Sequence, residues 1–250
     1  MEKWEIALQK FIKEWRDKEE VLGAIITGSY AVGNQTNFSD IDVHIVLSDE
    51  VDWRERGNRI VDGFLIEYFA NPIRKLKQYQ EDDYKEGIKT DARMFTIGKV
   101  LFDKTGAVEE MKQFSLNQLN KELKKKDDTW IEMAKYSLWD QMDSLNDLTD
   151  ANSSSFEFIY FTNLKNIIET YAKFSCVEIT SSAKLYKVLS DEEFKNRYRI
   201  NSFPDKDFVD LTIKCITIPE NSNIKRLTDY VVNRMGGFNI DGWKLRTSAD

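Results

Sequence analysis

Three carboxylates carry the chemistry that can be read directly from this chain. Asp40 and Asp42 stand one residue apart at the start of the apolar run Ile41-Asp42-Val43-His44-Ile45-Val46-Leu47, and Glu67 is the lone acid inside Gly63-Phe64-Leu65-Ile66-Glu67-Tyr68-Phe69. On a strand alternate side chains share a face, so Asp40 and Asp42 point the same way, their Cα atoms about 6.6 Å apart. Two acids that converge in this way can hold a divalent cation, and hard carboxylate oxygens suit Mg²⁺. Glu67 needs a partner too, because an unpaired carboxylate among apolar neighbours is costly to bury.

The elements that must position these acids follow from the pattern on either side. Val21-Leu22-Gly23-Ala24-Ile25-Ile26-Thr27 reads as a buried strand, and Gly28-Ser29 then turns the backbone where a larger side chain would obstruct a ligand. The chain reads on as a loop through Ser39 into the second strand. There Ile41, Val43, Ile45 and Leu47 face the core, and Asp40, Asp42 and His44 share the opposite face. His44 is the single histidine of the chain, which excludes histidine-cluster metal sites; it is expected to hydrogen-bond beside the acids rather than to ligate.

Gly28-Ser29, Asp40-Ile41-Asp42 and Ile66-Glu67-Tyr68 occur in the order and with the spacing of the nucleotidyltransferase superfamily built on the DNA polymerase β-type core, which the sequence resembles. The resemblance implies an α+β fold: an N-terminal polymerase β-like mixed sheet with helices over residues 1–106, then an all-helical acceptor-binding domain over 107–250. It implies Mg²⁺ on Asp40, Asp42 and Glu67, ATP or another NTP as co-substrate, and phosphates met by Gly28 and Ser29. Arg93 and Lys99 are the nearest further cations for phosphates, the alternative being charges on a solvated face.

The helical second half is similar to antibiotic nucleotidyltransferases of the kanamycin (aminoglycoside) type. In that type the general base is a glutamate on an early helix of the second domain. Here Trp139-Asp140-Gln141-Met142-Asp143 stands in the comparable place, and Ile179-Thr180-Ser181-Ser182-Ala183 resembles a downstream Thr-Thr-Ser-Ala segment. Asp143 or Asp140 is therefore the candidate base, the alternative being a solvated acidic face. The chain departs from that type where Val32 and Asn34 replace an arginine of the glycine loop, and where Asn146 and Asp147 replace a lysine past the acidic run.

Composition narrows the substrate. A formal net charge of −7 over 250 residues argues against nucleic acid, whose phosphates call for clustered Lys and Arg, and favours a small cationic acceptor. Cys176 and Cys215 lack metal-ligand spacing and read as thiols of a reduced, cytoplasmic protein. No early apolar stretch has the length of a signal peptide, and no run approaches the roughly 18 apolar residues of a membrane span. The implied activity is AMP transfer to a hydroxyl of an aminoglycoside or lincosamide, with a homodimer compatible with it. The alternatives are protein adenylylation and an inactive nucleotide-binding regulator.

Other expected elements are an amphipathic helix over 2–19, a polar helix or turn over Ser48–Arg59, and a helix opened by Asn71 and Pro72. A strand is expected at Val100–Asp103, and a helix over Val108–Lys126 closed by Lys124-Lys125-Lys126. Beyond it, helices are expected at 127–148, 156–177, 181–189, 191–198, 205–216 and 221–235, with a loop and cap at 152–155 and a loosely held tail.

Overall fold

The computed structural model describes residues 1–150 and 154–248. The chain divides into two compact units, Met1–Lys121 with Arg197–Arg199, and Glu122–Asn196 with Ile200–Asp250. The first is an α+β unit and the second is helical.

In the first unit, helix α1 (Lys3–Arg16) precedes strand β1 (Val21–Ile26), the short helix α2 (Gly28–Val32) and strand β2 (Ile41–Leu47). Strands β3 (Glu55–Val61) and β4 (Phe64–Pro72) form a hairpin, followed by helices α3 (Ile73–Lys85) and α4 (Thr90–Ile97), strand β5 (Lys99–Asp103) and helix α5 (Ala107–Asn120). The sheet order is β3-β4-β2-β1-β5, with β2 and β4 parallel and the other pairs antiparallel.

Alternation along β2 sends its side chains to two different cores. Ile41, Val43, Ile45 and Leu47 pack with Leu8, Phe11, Ile12 and Trp15 of α1, while Val46 joins Ile25, Leu76, Phe95, Val108 and Met111 on the other face. Burying each such side chain is worth about 1.5–3 kcal/mol, so one residue of register slip in β2 would forfeit both faces at once. The second face belongs to α3, α4 and α5, which is why α5 stays with the sheet and the first unit runs to Lys121, past the turn at Gly106.

Several expectations are corrected here. Residues Glu55–Val61 form an edge strand where a polar helix or turn was expected; β4 supplies its hydrogen bonds, and Asp62 and Gly63, both with positive φ, close the hairpin. Asn71 is not a helix cap, since β4 runs through it to Pro72, which itself precedes α3. Gly28 opens a short helix rather than a simple turn into a loop. Helix α5 ends at Asn120, so Lys124-Lys125-Lys126 lies in the connecting segment and does not meet the end of that helix.

The second unit comprises α6 (Asp128–Asp150), α7 (Phe156–Phe174), α8 (Ser182–Ser190), α9 (Glu192–Tyr198, whose last two residues group with the first unit), α10 (Lys206–Thr217) and α11 (Asn221–Arg234). Leu138, Met142 and Leu145 of α6 pack with Tyr160, Leu164 and Ile167 of α7 and Ile224, Leu227 and Val231 of α11. In the tail expected to be loosely held, most of the described residues from 239 to 248 are exposed, but Trp243 stacks on Tyr136 of α6 with ring centroids 4.4 Å apart. Of the expected loop and cap at 152–155, Asn152 and Ser153 lie outside the described residues. Cys215 is buried and Cys176 half-buried, both as free thiols. Among the described residues no helix is long and apolar enough to cross a membrane.

Candidate active site

The parallel pairing of β2 and β4 sets Asp42 directly beside Glu67. Asp40 lies two residues before Asp42, on the same side of the incoming chain. One oxygen from each of Asp40, Asp42 and Glu67 falls within 4.8 Å of the others, and all three residues are half-buried. Three hard oxygens at that spacing, partly open to solvent, fit a divalent cation such as Mg²⁺.

Gly28 sits against this cluster. The Thr27 amide donates to the Asp42 carbonyl at 2.9 Å, tying the end of β1 to the start of β2. Gly28 then adopts φ +64°, and a Cβ built on it would lie 2.0 Å from Asp42 Oδ2. Glycine is thus required twice over, by backbone conformation and by the approach of the acid. Ser29 follows in the first turn of α2, and Gly33, with φ +68°, caps that helix by donating its N–H to the Ser29 carbonyl.

Glu67 already has a cation. Arg56, across the hairpin on β3, donates to its Oε1 through Nη2 at 2.6 Å and Nε at 3.2 Å, and the guanidinium lies 4.9 Å over the Phe69 ring. Sequence reading missed Arg56 because its strand was not foreseen; the alternation Glu55-Arg56 opposite an acid on a hairpin would have been the signal.

His44 lies on the acid face but, among the described residues, makes no hydrogen bond through either ring nitrogen, contrary to expectation. It is 7% exposed, packed between Phe69 and Phe95 at ring distances of 5.1 and 4.9 Å, and burial pushes its pKa down to about 4. The imidazole is therefore neutral at physiological pH.

Asp42 and His44 line a cleft of about 560 Å³ together with Arg54, Phe69, Tyr79 and Asp91. Asp91 in the first turn of α4 is the residue that sequence reasoning did not single out. Burial, and then the neighbouring Asp83, raise its carboxyl to about 6. Asp83 of α3 accepts the Asp91 amide at 3.2 Å, and its own acid is raised by burial.

A carboxyl whose pKa is raised on folding favours the native state only while protonated. Its contribution is complete below about pH 4 and is lost as pH rises through about 6. Asp91→Asn is therefore expected to be more stable than the parent by about 2 kcal/mol at pH 8, with the gap closing by pH 4, in thermal unfolding across that range. Equal stability at both pH values would show that Asp91 carries no such strain. Beside Asp83 of α3, the charged and titratable groups that line the same cleft as Asp91 are Tyr79 on α3, Asp42 and His44 on β2, and Arg54, Glu55 and Arg56 at its β3 side.

The remaining sequence candidates are Arg93, Lys99, Asp140 and Asp143. Arg93 on α4 is buried, and its Nη1 donates to the carbonyls of Tyr198, at 3.1 Å, and of Arg199, both in the segment grouped with the first unit. Lys99 is exposed at the start of β5. Asp140 and Asp143 are exposed on α6 in the second unit.

A mixed five-stranded sheet that brings three carboxylates together beside a glycine turn is the frame of a nucleotide-transferring protein. The chain belongs to the nucleotidyltransferase domain family, whose profile matches residues 8–135, from α1 into α6. No curated protein matches the sequence. Among solved structures, a nucleotidyltransferase-like protein from Exiguobacterium sibiricum 255-15 aligns over 93% of this chain and 74% of its own, at 10% identity and a TM-score of 0.47.

Proposed function

We propose that the protein transfers AMP from ATP, with Mg²⁺, onto a hydroxyl of a small cationic acceptor such as an aminoglycoside or lincosamide. The observation that carries this reading is the convergence of Asp40, Asp42 and Glu67 beside Gly28. In the reaction the acceptor oxygen bonds to the α-phosphorus, the bond from that phosphorus to the departing pyrophosphate breaks, and the hydroxyl proton passes to a base. A divalent cation would neutralise charge on the attacking and leaving oxygens. Asp40 and Asp42 would be its ligands on the triphosphate side and Glu67 its ligand on the acceptor side. Gly28 and Ser29 meet phosphate oxygens, Arg93 and Lys99 are further candidates for that contact, and Asp140 or Asp143 takes the proton.

The net charge of −7 supports a cationic acceptor over nucleic acid, and free thiols suit a cytoplasmic setting. The aminoglycoside-like arrangement of the second half and a homodimer belong to the same proposal. Purified protein incubated with Mg²⁺, each NTP and an antibiotic panel is expected to release pyrophosphate with ATP and at least one cationic acceptor, and Asp40→Asn is expected to lose that release. Release that is equal in Asp40→Asn would exclude this site. Label appearing on a protein instead of a drug would turn the reading to protein adenylylation.

A further inference from the structure

The cleft beside Asp42 contains more recognition chemistry than metal binding uses. Its volume, about 560 Å³, lies in the range of small-molecule pockets, and its floor is aromatic, with His44 stacked on Phe69 and packed against Phe95.

Most of its charged and polar groups are already committed. Arg56 is bonded to Glu67, Arg54 donates to the Tyr79 hydroxyl at 2.5 Å, and Glu55 accepts from the Tyr68 hydroxyl at 2.6 Å. Two groups are not. The Asp91 carboxylate makes no hydrogen bond or ion pair among the described residues, although burial and Asp83 both oppose its charge. His44 is more than nine-tenths buried with both ring nitrogens unpartnered.

Buried polar groups without partners are costly, and ligand sites are where that cost is relieved. A carboxylate at this position calls for a cation. An imidazole with both ring nitrogens unpartnered among the described residues can meet a hydroxyl, a group that both donates and accepts. Asp42 belongs to both the acid cluster and the cleft, so a ligand seated there lies next to the candidate metal site. With Gly28 pressed on Asp42 Oδ2 and assigned to the phosphates, the cleft is left for the second substrate.

We propose that this cleft is the acceptor site and that Asp91 binds an acceptor ammonium group, with His44 meeting a neighbouring hydroxyl, so that the acceptor is an amino alcohol of about one ring in this pocket. The inference rests on the nucleotidyl-transfer reading and deepens it, because it locates acceptor recognition on the first unit and names the residue that selects charge.

The test is calorimetric titration of the full chain, with Mg²⁺ and a non-hydrolysable ATP analogue present. The probes are 2-deoxystreptamine and its di-N-acetyl derivative, which keeps the ring hydroxyls without the ammonium charge. The free diamine is expected to bind at least about ten-fold more tightly than the acetylated ring, and Asp91→Asn to remove that preference while leaving the ATP analogue's affinity unchanged. Asp91→Asn should fold, since it discharges a strained acid.

Equal diamine affinity in Asp91→Asn, or no diamine binding by the parent protein, overturns the inference. Weakening of the ATP analogue in place of the diamine also overturns it and gives the cleft to the nucleotide. Mg²⁺-dependent binding of the ATP analogue is read separately, so its failure identifies a fault in the nucleotidyl-transfer reading itself.

Discussion

Asp42→Asn is expected to lower pyrophosphate release by about three orders of magnitude or more while leaving the thermal unfolding temperature nearly unchanged. The amide keeps the shape of the side chain but removes a negative charge from a cluster of only three ligands. A divalent cation stabilises the charge of the transition state by several kcal/mol, and each 1.36 kcal/mol is a factor of ten in rate. Asp42 is also the strand partner of Glu67 and abuts Gly28, so no other acid can take its place without moving the sheet. The fold does not need the charge, because the β2 residues that face the α1 core are Ile41, Val43, Ile45 and Leu47. A Mg²⁺ titration of the variant separates lost cation affinity from lost turnover at saturation. Activity within ten-fold of the parent would remove Asp42 from the site.

Gly28→Ala is the second large effect. A Cβ there would meet Asp42 Oδ2 at 2.0 Å and Cγ at 3.0 Å, so the acid or the backbone has to move by about an ångström. Misplacement on that scale costs about a hundred-fold in rate. The positive φ adds roughly 1–2 kcal/mol of backbone strain, visible as a lower unfolding temperature. Gly63→Ala is the control: it shares a positive φ, +86°, but an added Cβ meets nothing within 4 Å, so it should lose stability and keep activity. If Gly28→Ala keeps parental turnover, the approach of Gly28 to Asp42 is without functional weight.

The acid cluster was legible in the sequence because it is written locally. Asp40 and Asp42 share a face by strand alternation, and Glu67 interrupts an apolar run, a fault that only a partner repairs. Strands β1, β2 and β4 and the helices of the second unit announced themselves through buried periodicity. The missed pieces lack that signal. Strand β3 is largely exposed on both faces, so Glu-Arg-Gly-Asn-Arg has no alternation to read, and its existence depends on hydrogen bonds from β4. Its Gly57 also has a tertiary reason, since a Cβ there would strike the Tyr68 ring at 2.5–2.8 Å. Asp91 sits in a charge-rich stretch that reads as solvated surface; only the packing of α4 against α3 and the sheet buries it. Trp243 looked like part of a free tail because its partner, Tyr136, is more than a hundred residues away.

The Arg56–Glu67 pair has a consequence for how the cluster tolerates changing conditions. Its guanidinium is 70% exposed and the carboxylate 18% exposed, so the pair contributes little to folding and can open without loss to the core. Arg56 is thus a tethered counter-ion for Glu67, one that a divalent cation held by Asp40, Asp42 and Glu67 would have to displace. The Arg56 guanidinium sets one positive charge beside a cluster of three carboxylates.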